Sequence, residues 1–389
     1  MGDRKRLQVT QGCDFVQLAA PGVRDLHPYL PGKPISELER EYGVSDIIKL
    51  ASNENPLGAS PAALRAMQSE FEELALYPDG GGFSLKQVLA EHHGVPADWI
   101  TLGNGSNDVL VLLAEAFLVP GLEAVYSEYC FAVYPIAVQA AGATARVAPA
   151  FGRETAMPLG HDLEAMGERV SPKTRIVFIA NPNNPTGTWL EEGDLRAFLE
   201  TVPNDVLVVV DEAYHEYAIA KGVPEASGWL DHFPNLVVTR TFSKAFGLAG
   251  IRVGYSLSSP QVADVLNRIR QPFNVNSLAL AGAAAAVGDH GFIEQTVRVN
   301  RAGVERLTGG LGDLGLEVSP SAANFVLADL GQPSGPIYEF LLQRGIIVRP
   351  VSNYGLPNHM RMTVGTPEQN EKLLSGLGEF LEGRDASGH

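Results

Sequence analysis

Arg175-Ile-Val-Phe-Ile-Ala-Asn-Pro-Asn-Asn-Pro-Thr-Gly187 is an apolar, β-branched run that ends abruptly in an asparagine- and proline-rich turn. Apolar character without alternation is what a strand covered on both faces needs, and the Asn/Pro chemistry that follows ends it. The same pattern recurs in Val206-Leu-Val-Val-Val-Asp211-Glu-Ala-Tyr214, in Leu236-Val-Val-Thr239 ahead of Thr241-Phe-Ser-Lys244, and in Ile251-Arg-Val-Gly-Tyr255. Residues 106–118, 191–201 and 260–270 carry helical spacing between such runs. Strands alternating with helices from about residue 60 to residue 280 predict an α/β unit with a largely parallel sheet.

Beyond Gln271-Pro-Phe-Asn the texture changes. An Ala-rich and then charge-dotted stretch, residues 277–314, reads as helices leading out of the first unit. Asn324-Phe-Val-Leu-Ala, a helix near 337–344, Ile346-Ile-Val-Arg349, Met360-Arg-Met-Thr-Val and a closing helix near 368–381 then predict a compact α+β unit. A chain of 389 residues is too long for one ordinary core. The expected division is an N-terminal segment, 1–55, packing with the small unit, then a large domain, 56–285, and a small domain, 286–389. A cleft between the two is the natural place for a ligand.

Composition excludes several classes of function. A formal charge of −16 repels nucleic acid and anionic lipid, so neither is an expected partner. The two cysteines, Cys13 and Cys130, sit in no paired or metal-ligand spacing, and the nine histidines form no His-Glu-x-x-His pattern, so no metal is expected. Met1-Gly-Asp-Arg-Lys-Arg leads into no apolar run, and no stretch of about 20 apolar residues occurs. A cytoplasmic enzyme is the expectation.

Three clusters stand at the ends of predicted strands, where ligands of open α/β sheets collect. Taken singly each is ambiguous: Asn181–Gly187 could be only a turn, Asp211 only a helix cap, Lys244 only a surface lysine. Leu102-Gly-Asn-Gly-Ser-Asn-Asp108, ahead of an apolar helix, offers backbone amides and a hydroxyl to an anion at a positive helix end. It is not Gly-x-Gly-x-x-Gly, which disfavours a nicotinamide site.

Together and in this order the clusters resemble the fold type I pyridoxal-phosphate enzymes of the aspartate-aminotransferase superfamily. The likeness runs from Leu50-Ala-Ser-Asn-Glu-Asn-Pro to Arg361-Met-Thr-Val-Gly, about four-fifths of the chain. It implies a large domain that binds pyridoxal 5'-phosphate, with a mostly parallel mixed sheet between helices, and the smaller α+β domain. By this resemblance Lys244 holds the cofactor as a Schiff base and serves as general base, while Asp211 pairs with the ring nitrogen. Asn184 and Tyr214 are assigned to the ring oxygen. Ser106, Asn107, Thr241, Ser243 and Arg252 are assigned to the phosphate; where many relatives have Gly-Ser-Asp-Glu, this chain has Gly105-Ser-Asn-Asp108. Tyr129 matches the aromatic that stacks on the ring, a core aromatic being the bland alternative. Tyr77, in Leu76-Tyr-Pro-Asp-Gly, resembles the tyrosine that reaches a neighbouring subunit's phosphate site, so a homodimer is implied.

Ala51-Ser-Asn-Glu-Asn-Pro-Leu-Gly58, Ser243-Lys-Ala-Phe-Gly-Leu-Ala-Gly-Ile-Arg252 and Gly345-Ile-Ile-Val-Arg-Pro350 are similar to the histidinol-phosphate aminotransferase family. That likeness assigns Arg361 to an α-carboxylate and Arg349 to a distal phosphate, tasks suited to a bidentate guanidinium. Asn53 and Asn324 are candidates to complete the substrate site, and ordinary turn or strand-start roles stand equally for both. Substrates are then small amino acids, keto acids or phosphate esters. An aromatic or prephenate aminotransferase is the nearest rival reading. An amino-acid-phosphate decarboxylase would release carbon dioxide, and a non-catalytic regulator would bind cofactor without turnover.

Overall fold

The computed structural model describes residues 14–29 and 31–385, so Cys13 and the first residues of the expected N-terminal segment lie outside the described part. The strands in chain order are β1 (Ile48–Lys49), β2 (Ile100–Gly103), β3 (Glu123–Ser127), β4 (Thr144–Ala148), β5 (Thr174–Ala180), β6 (Leu207–Asp211), β7 (Leu236–Thr241) and β8 (Gly254–Ser258), followed by β9 (Glu317–Val318), β10 (Phe325–Asp329), β11 (Ile346–Ile347), β12 (Arg349–Pro350) and β13 (His359–Thr363).

Seven of them form one sheet in the order β2-β8-β7-β6-β5-β3-β4. Strands β3 to β7 run parallel, and β8 is antiparallel to both of its neighbours. Alternation accounts for the unbroken apolar runs, because successive side chains point to opposite faces. Val177, Ile179, Val208, Val210 and Val238 enter one hydrophobic cluster, while Ile176, Phe178, Val209 and Val237 enter another. The chain builds outward from β3 to β4, then crosses to β5 and continues the other way. That reversal leaves a crevice at the carboxyl ends of β3 and β5, the switch point at which ligands of such sheets bind.

A second, antiparallel sheet has the order β12-β13-β10-β9. Its core contains Val326, Met360 and Met362 with Leu307, Leu341 and Leu373 from helices. Ile48 and Leu50 belong to the same cluster, and β1 pairs with β11. Residues just before Asn53 are thereby held against the C-terminal sheet.

Two sequence expectations need correction. The strand expected at 251–255 begins at Gly254, because Ala249–Ile251 makes a 3-10 turn and Arg252 takes φ +59°. That left-handed residue, costly for a side chain with a Cβ, turns Arg252 into the crevice. The single strand expected at 346–349 is divided, since Ile346–Ile347 pairs with β1 whereas Arg349–Pro350 pairs with β13.

Candidate active site

A cavity of about 470 Å³ occupies the crevice between the carboxyl ends of the large sheet and the C-terminal sheet. Its wall includes Asn53, Ser106, Asn107, Asn184, Asp211, Tyr214, Thr241, Ser243, Lys244, Arg252 and Arg361, residues spread over more than 300 positions of sequence.

Asp211 is the last residue of β6, buried, and directly opposite Thr239 of β7. Its carboxylate accepts hydrogen bonds from the Tyr134 hydroxyl at 2.9 Å and the Thr239 hydroxyl at 3.0 Å. Burial raises its pKa, and these two donors oppose the rise by favouring the charged form. Tyr134 is fully enclosed and stacks on Phe178 with centroids 4.8 Å apart, so its hydroxyl has a fixed direction.

Lys244 follows β7 by three residues and donates to the Ser52 carbonyl at 3.0 Å. Burial lowers its pKa to about 7, helped by the nearby Arg361 and Arg252 cations. A lysine poised there keeps a large share of its amine neutral at neutral pH, which an ordinary surface lysine does not.

One end of the cavity is an anion cradle. The helix Ser106–Phe117 begins there, and Arg252 donates to the Ser243 hydroxyl at 3.2 Å. Glycines make the approach possible: a Cβ on Gly105, which has φ +89°, would lie 2.4 Å from the Arg252 guanidinium, and one on Gly254 would lie 2.2 Å from the Ser106 amide nitrogen. Hydroxyls, free helix amides and a guanidinium therefore converge where only glycine leaves room.

At the other end Arg361 is held by Asn184, whose side-chain oxygen accepts at 2.5 Å, and by the Ala51 carbonyl at 2.6 Å. Its Nε is buried without a protein partner, a donor left for an anion. Arg349 stands directly across the strand pair from Arg361. Two like charges at opposed positions are unfavourable by themselves, and an anion between or above them relieves the repulsion. Asn53, at φ +56°, donates to the Tyr214 hydroxyl at 2.8 Å and accepts from Thr363 at 3.0 Å, tying the N-terminal loop to both sheets.

Residues 45–377 match the family described as Aminotransferase class I and II. The chain is 57% identical over 370 residues to histidinol-phosphate aminotransferase 2 of Pseudomonas fluorescens, covering 95% of this chain and 98% of that one. It is 58% identical over 364 residues to histidinol-phosphate aminotransferase 2 of Methylococcus capsulatus, covering 94% and 98%. The chain belongs to the histidinol-phosphate aminotransferase family of class I and II aminotransferases. Among solved structures, the histidinol-phosphate aminotransferase of Sinorhizobium meliloti in complex with pyridoxal-5'-phosphate superposes with TM-score 0.84 at 28% identity, covering 94% of this chain and 97% of that one.

Not every aminotransferase site residue expected from the sequence reaches the cavity. Tyr129 does not: its ring packs with Leu159, Leu327, Val351 and Leu356 beside the C-terminal sheet. The aromatic in the wall is Phe131, two residues on. Asn324 is buried behind the wall and donates to the Asn53 carbonyl at 3.1 Å, so it braces the loop instead of facing a ligand. Arg349 is also outside the wall; its guanidinium lies 5.8 Å from the ring centroid of Tyr29, which is part of it. Tyr77 is 82% exposed and stacks on Phe273, away from this chain's own cavity.

Sequence reasoning missed Tyr134, Phe131, Tyr29 and Glu54. Tyr134 sits on the Ala- and Val-rich helix Val133–Ala140 and reads there as core. Thr239 was legible in principle, since it shares the inward alternation of Thr241 two residues later. Tyr29 lies in a proline-rich stretch without periodicity, which offers no signal.

Proposed function

We propose that this protein is a pyridoxal-phosphate-dependent aminotransferase that moves the amino group of L-glutamate to imidazole acetol phosphate, yielding L-histidinol phosphate and 2-oxoglutarate. The observation that carries the reading is the pair of Lys244 and Asp211 in a cavity with an anion cradle at one end and Arg361 at the other, Arg349 standing opposite Arg361 just outside the wall. The residues suit the cofactor: the glycine-lined cradle matches a phosphate, and a carboxylate held by two hydroxyls matches a ring nitrogen that must stay protonated. Bound there, pyridoxal phosphate supplies an electron sink that makes the Cα–H bond of an amino acid acidic.

The chain's own residues do the rest. Ser106, Asn107, Thr241, Ser243 and Arg252 hold the phosphate. Asp211 accepts the ring N–H, and Tyr134 and Thr239 keep that carboxylate ionised and aimed. Asn184 and Tyr214 stand for the ring oxygen; the bond from Arg361 to Asn184 links that contact to substrate binding. Lys244, with a pKa of about 7, is placed to take the proton from Cα of the amino acid and would hand it to C4′ of the cofactor, on the far side of the amino nitrogen. Arg361 binds the α-carboxylate of glutamate in one half-reaction and meets the phosphate ester in the other, with Arg349 and Tyr29 extending the site toward the distal anion.

Phe131 is assigned the wall beside the cofactor ring in place of Tyr129. Aromatic stacking is worth about 0.5–1.5 kcal/mol, so Phe131→Ala is expected to weaken cofactor retention by up to about tenfold. Tyr129→Phe is expected to leave it within about twofold. Equilibrium dialysis of the cofactor against each variant measures this, and the opposite order would return the role to Tyr129.

The exposed apolar group of Leu74, Leu76, Tyr77, Phe83 and Phe273 supports a homodimer in which Tyr77 serves the partner copy's phosphate site. The division into 1–55, 56–285 and 286–389 and a cytoplasmic location belong to the same proposal. Among the described residues no helix is long and apolar enough to cross a membrane.

Steady-state comparison tests the specificity. With glutamate as donor, kcat/KM for imidazole acetol phosphate is expected to exceed that for phenylpyruvate or prephenate by at least about tenfold, the scale of one charge-assisted contact. The reverse order would make this an aromatic aminotransferase with the chemistry unchanged.

A further inference from the structure

The cavity wall has two carboxylates, and the chemistry above uses only Asp211. The other is Glu54, whose side chain is 43% exposed and faces the same space as Lys244 and Arg361. Its position is constrained from both sides. Asn53 before it is bonded to Tyr214 and Thr363, and Asn55 after it donates to the Ala245 carbonyl at 2.8 Å and to Thr296 at 3.1 Å. With both neighbours fixed by these bonds, the backbone holds the residue between them at the cavity.

The carboxylate is anchored as well. Oε1 accepts from Lys49 at 2.7 Å, and Lys49 on β1 is paired with Ile347 of β11, two residues before Arg349. Glu54 Oε2 accepts no hydrogen bond among the described residues. The same small framework thus carries a cation for one end of a substrate and an acceptor with an open lone pair for another.

We propose that Glu54 is a specificity-determining residue whose free oxygen accepts the ring N–H of the substrate's imidazole, selecting a basic heteroaromatic ring over a phenyl ring. The inference rests on the substrate class proposed above and deepens it. Imidazole has an unperturbed pKa near 6.5 and, in either protonation state, carries at least one N–H donor. A carboxylate opposite it makes a charge-assisted bond that a phenyl ring cannot, and a phenyl ring in its place would leave the carboxylate desolvated and unpaired.

The test compares imidazole acetol phosphate with the phenyl analogue of the same acetol phosphate, so that only the ring differs. For the wild-type enzyme the imidazole substrate is expected to be preferred. In Glu54→Gln the ratio of kcat/KM values is expected to fall by about tenfold, through KM and not kcat, as expected for loss of a charge-assisted partner. Lys49→Gln, which keeps the carboxylate but removes its anchor, is expected to fall between the two. An unchanged ratio in Glu54→Gln, or parallel losses on both substrates, would overturn the proposal and leave the aminotransferase reading intact; parallel losses would place Glu54 with the Lys244 amine instead. A wild-type enzyme inactive on imidazole acetol phosphate would remove the underlying reading and this one with it.

Discussion

Lys244→Ala is expected to lower the rate of transamination by about a thousandfold or more, without unfolding the chain. A positioned general base is worth roughly 10²–10⁴ in rate, and here the same amine is also the covalent anchor of the cofactor. No neighbour replaces it. The other cations of the wall, Arg252 and Arg361, are guanidiniums that do not deprotonate in this range. Removing Lys244 also removes a buried amine whose burial lowers its pKa to about 7, so the fold loses little. Circular dichroism alongside single-turnover kinetics with glutamate checks both halves of the expectation. Residual transamination within about tenfold of wild type would take the role away from Lys244.

Arg349→Ala is expected to raise KM for imidazole acetol phosphate by roughly 10- to 150-fold, the equivalent of about 1.5–3 kcal/mol for a charge-assisted bond. KM for glutamate is expected to change by less than about threefold, because Arg361 holds the α-carboxylate. The geometry makes this a sharp comparison. Arg349 lies opposite Arg361 and next to Tyr29 but outside the cavity wall. If its task were only to brace the strand that carries Arg361, both substrates would lose affinity together. Unequal losses in steady-state kinetics therefore separate phosphate recognition from support.

The fold was legible because its strands obey simple rules. Apolar runs such as Ile176–Ala180 are covered on both faces, and each ends in residues that cannot continue a strand, so the parallel sheet and its functional edge could be located together. Lys244, Asp211, Asn184 and Ser106 were legible for the same reason, since each stands at a strand's last residue, within four residues beyond a strand end, or at a helix start. Partners supplied by distant packing were harder. Tyr134 reaches Asp211 across 77 positions from a helix whose composition is that of a core element. Tyr129 and Phe131 both follow β3, and only the path of the turn, which hydrophobic patterning does not record, decides that Phe131 lines the crevice and Tyr129 does not. Arg252 escaped a correct strand start because a left-handed residue after a 3-10 turn leaves no mark in hydrophobic patterning.

The Lys244 amine is the proposed site of covalent attachment in a cavity that suits pyridoxal phosphate. Borohydride reduction of the cofactor-loaded enzyme, followed by proteolysis and mass spectrometry, addresses it directly. A single phosphopyridoxyl adduct is expected, on the peptide containing Thr241-Phe-Ser-Lys244. An adduct on any other lysine, or stoichiometric cofactor that remains fully removable after reduction, would contradict it.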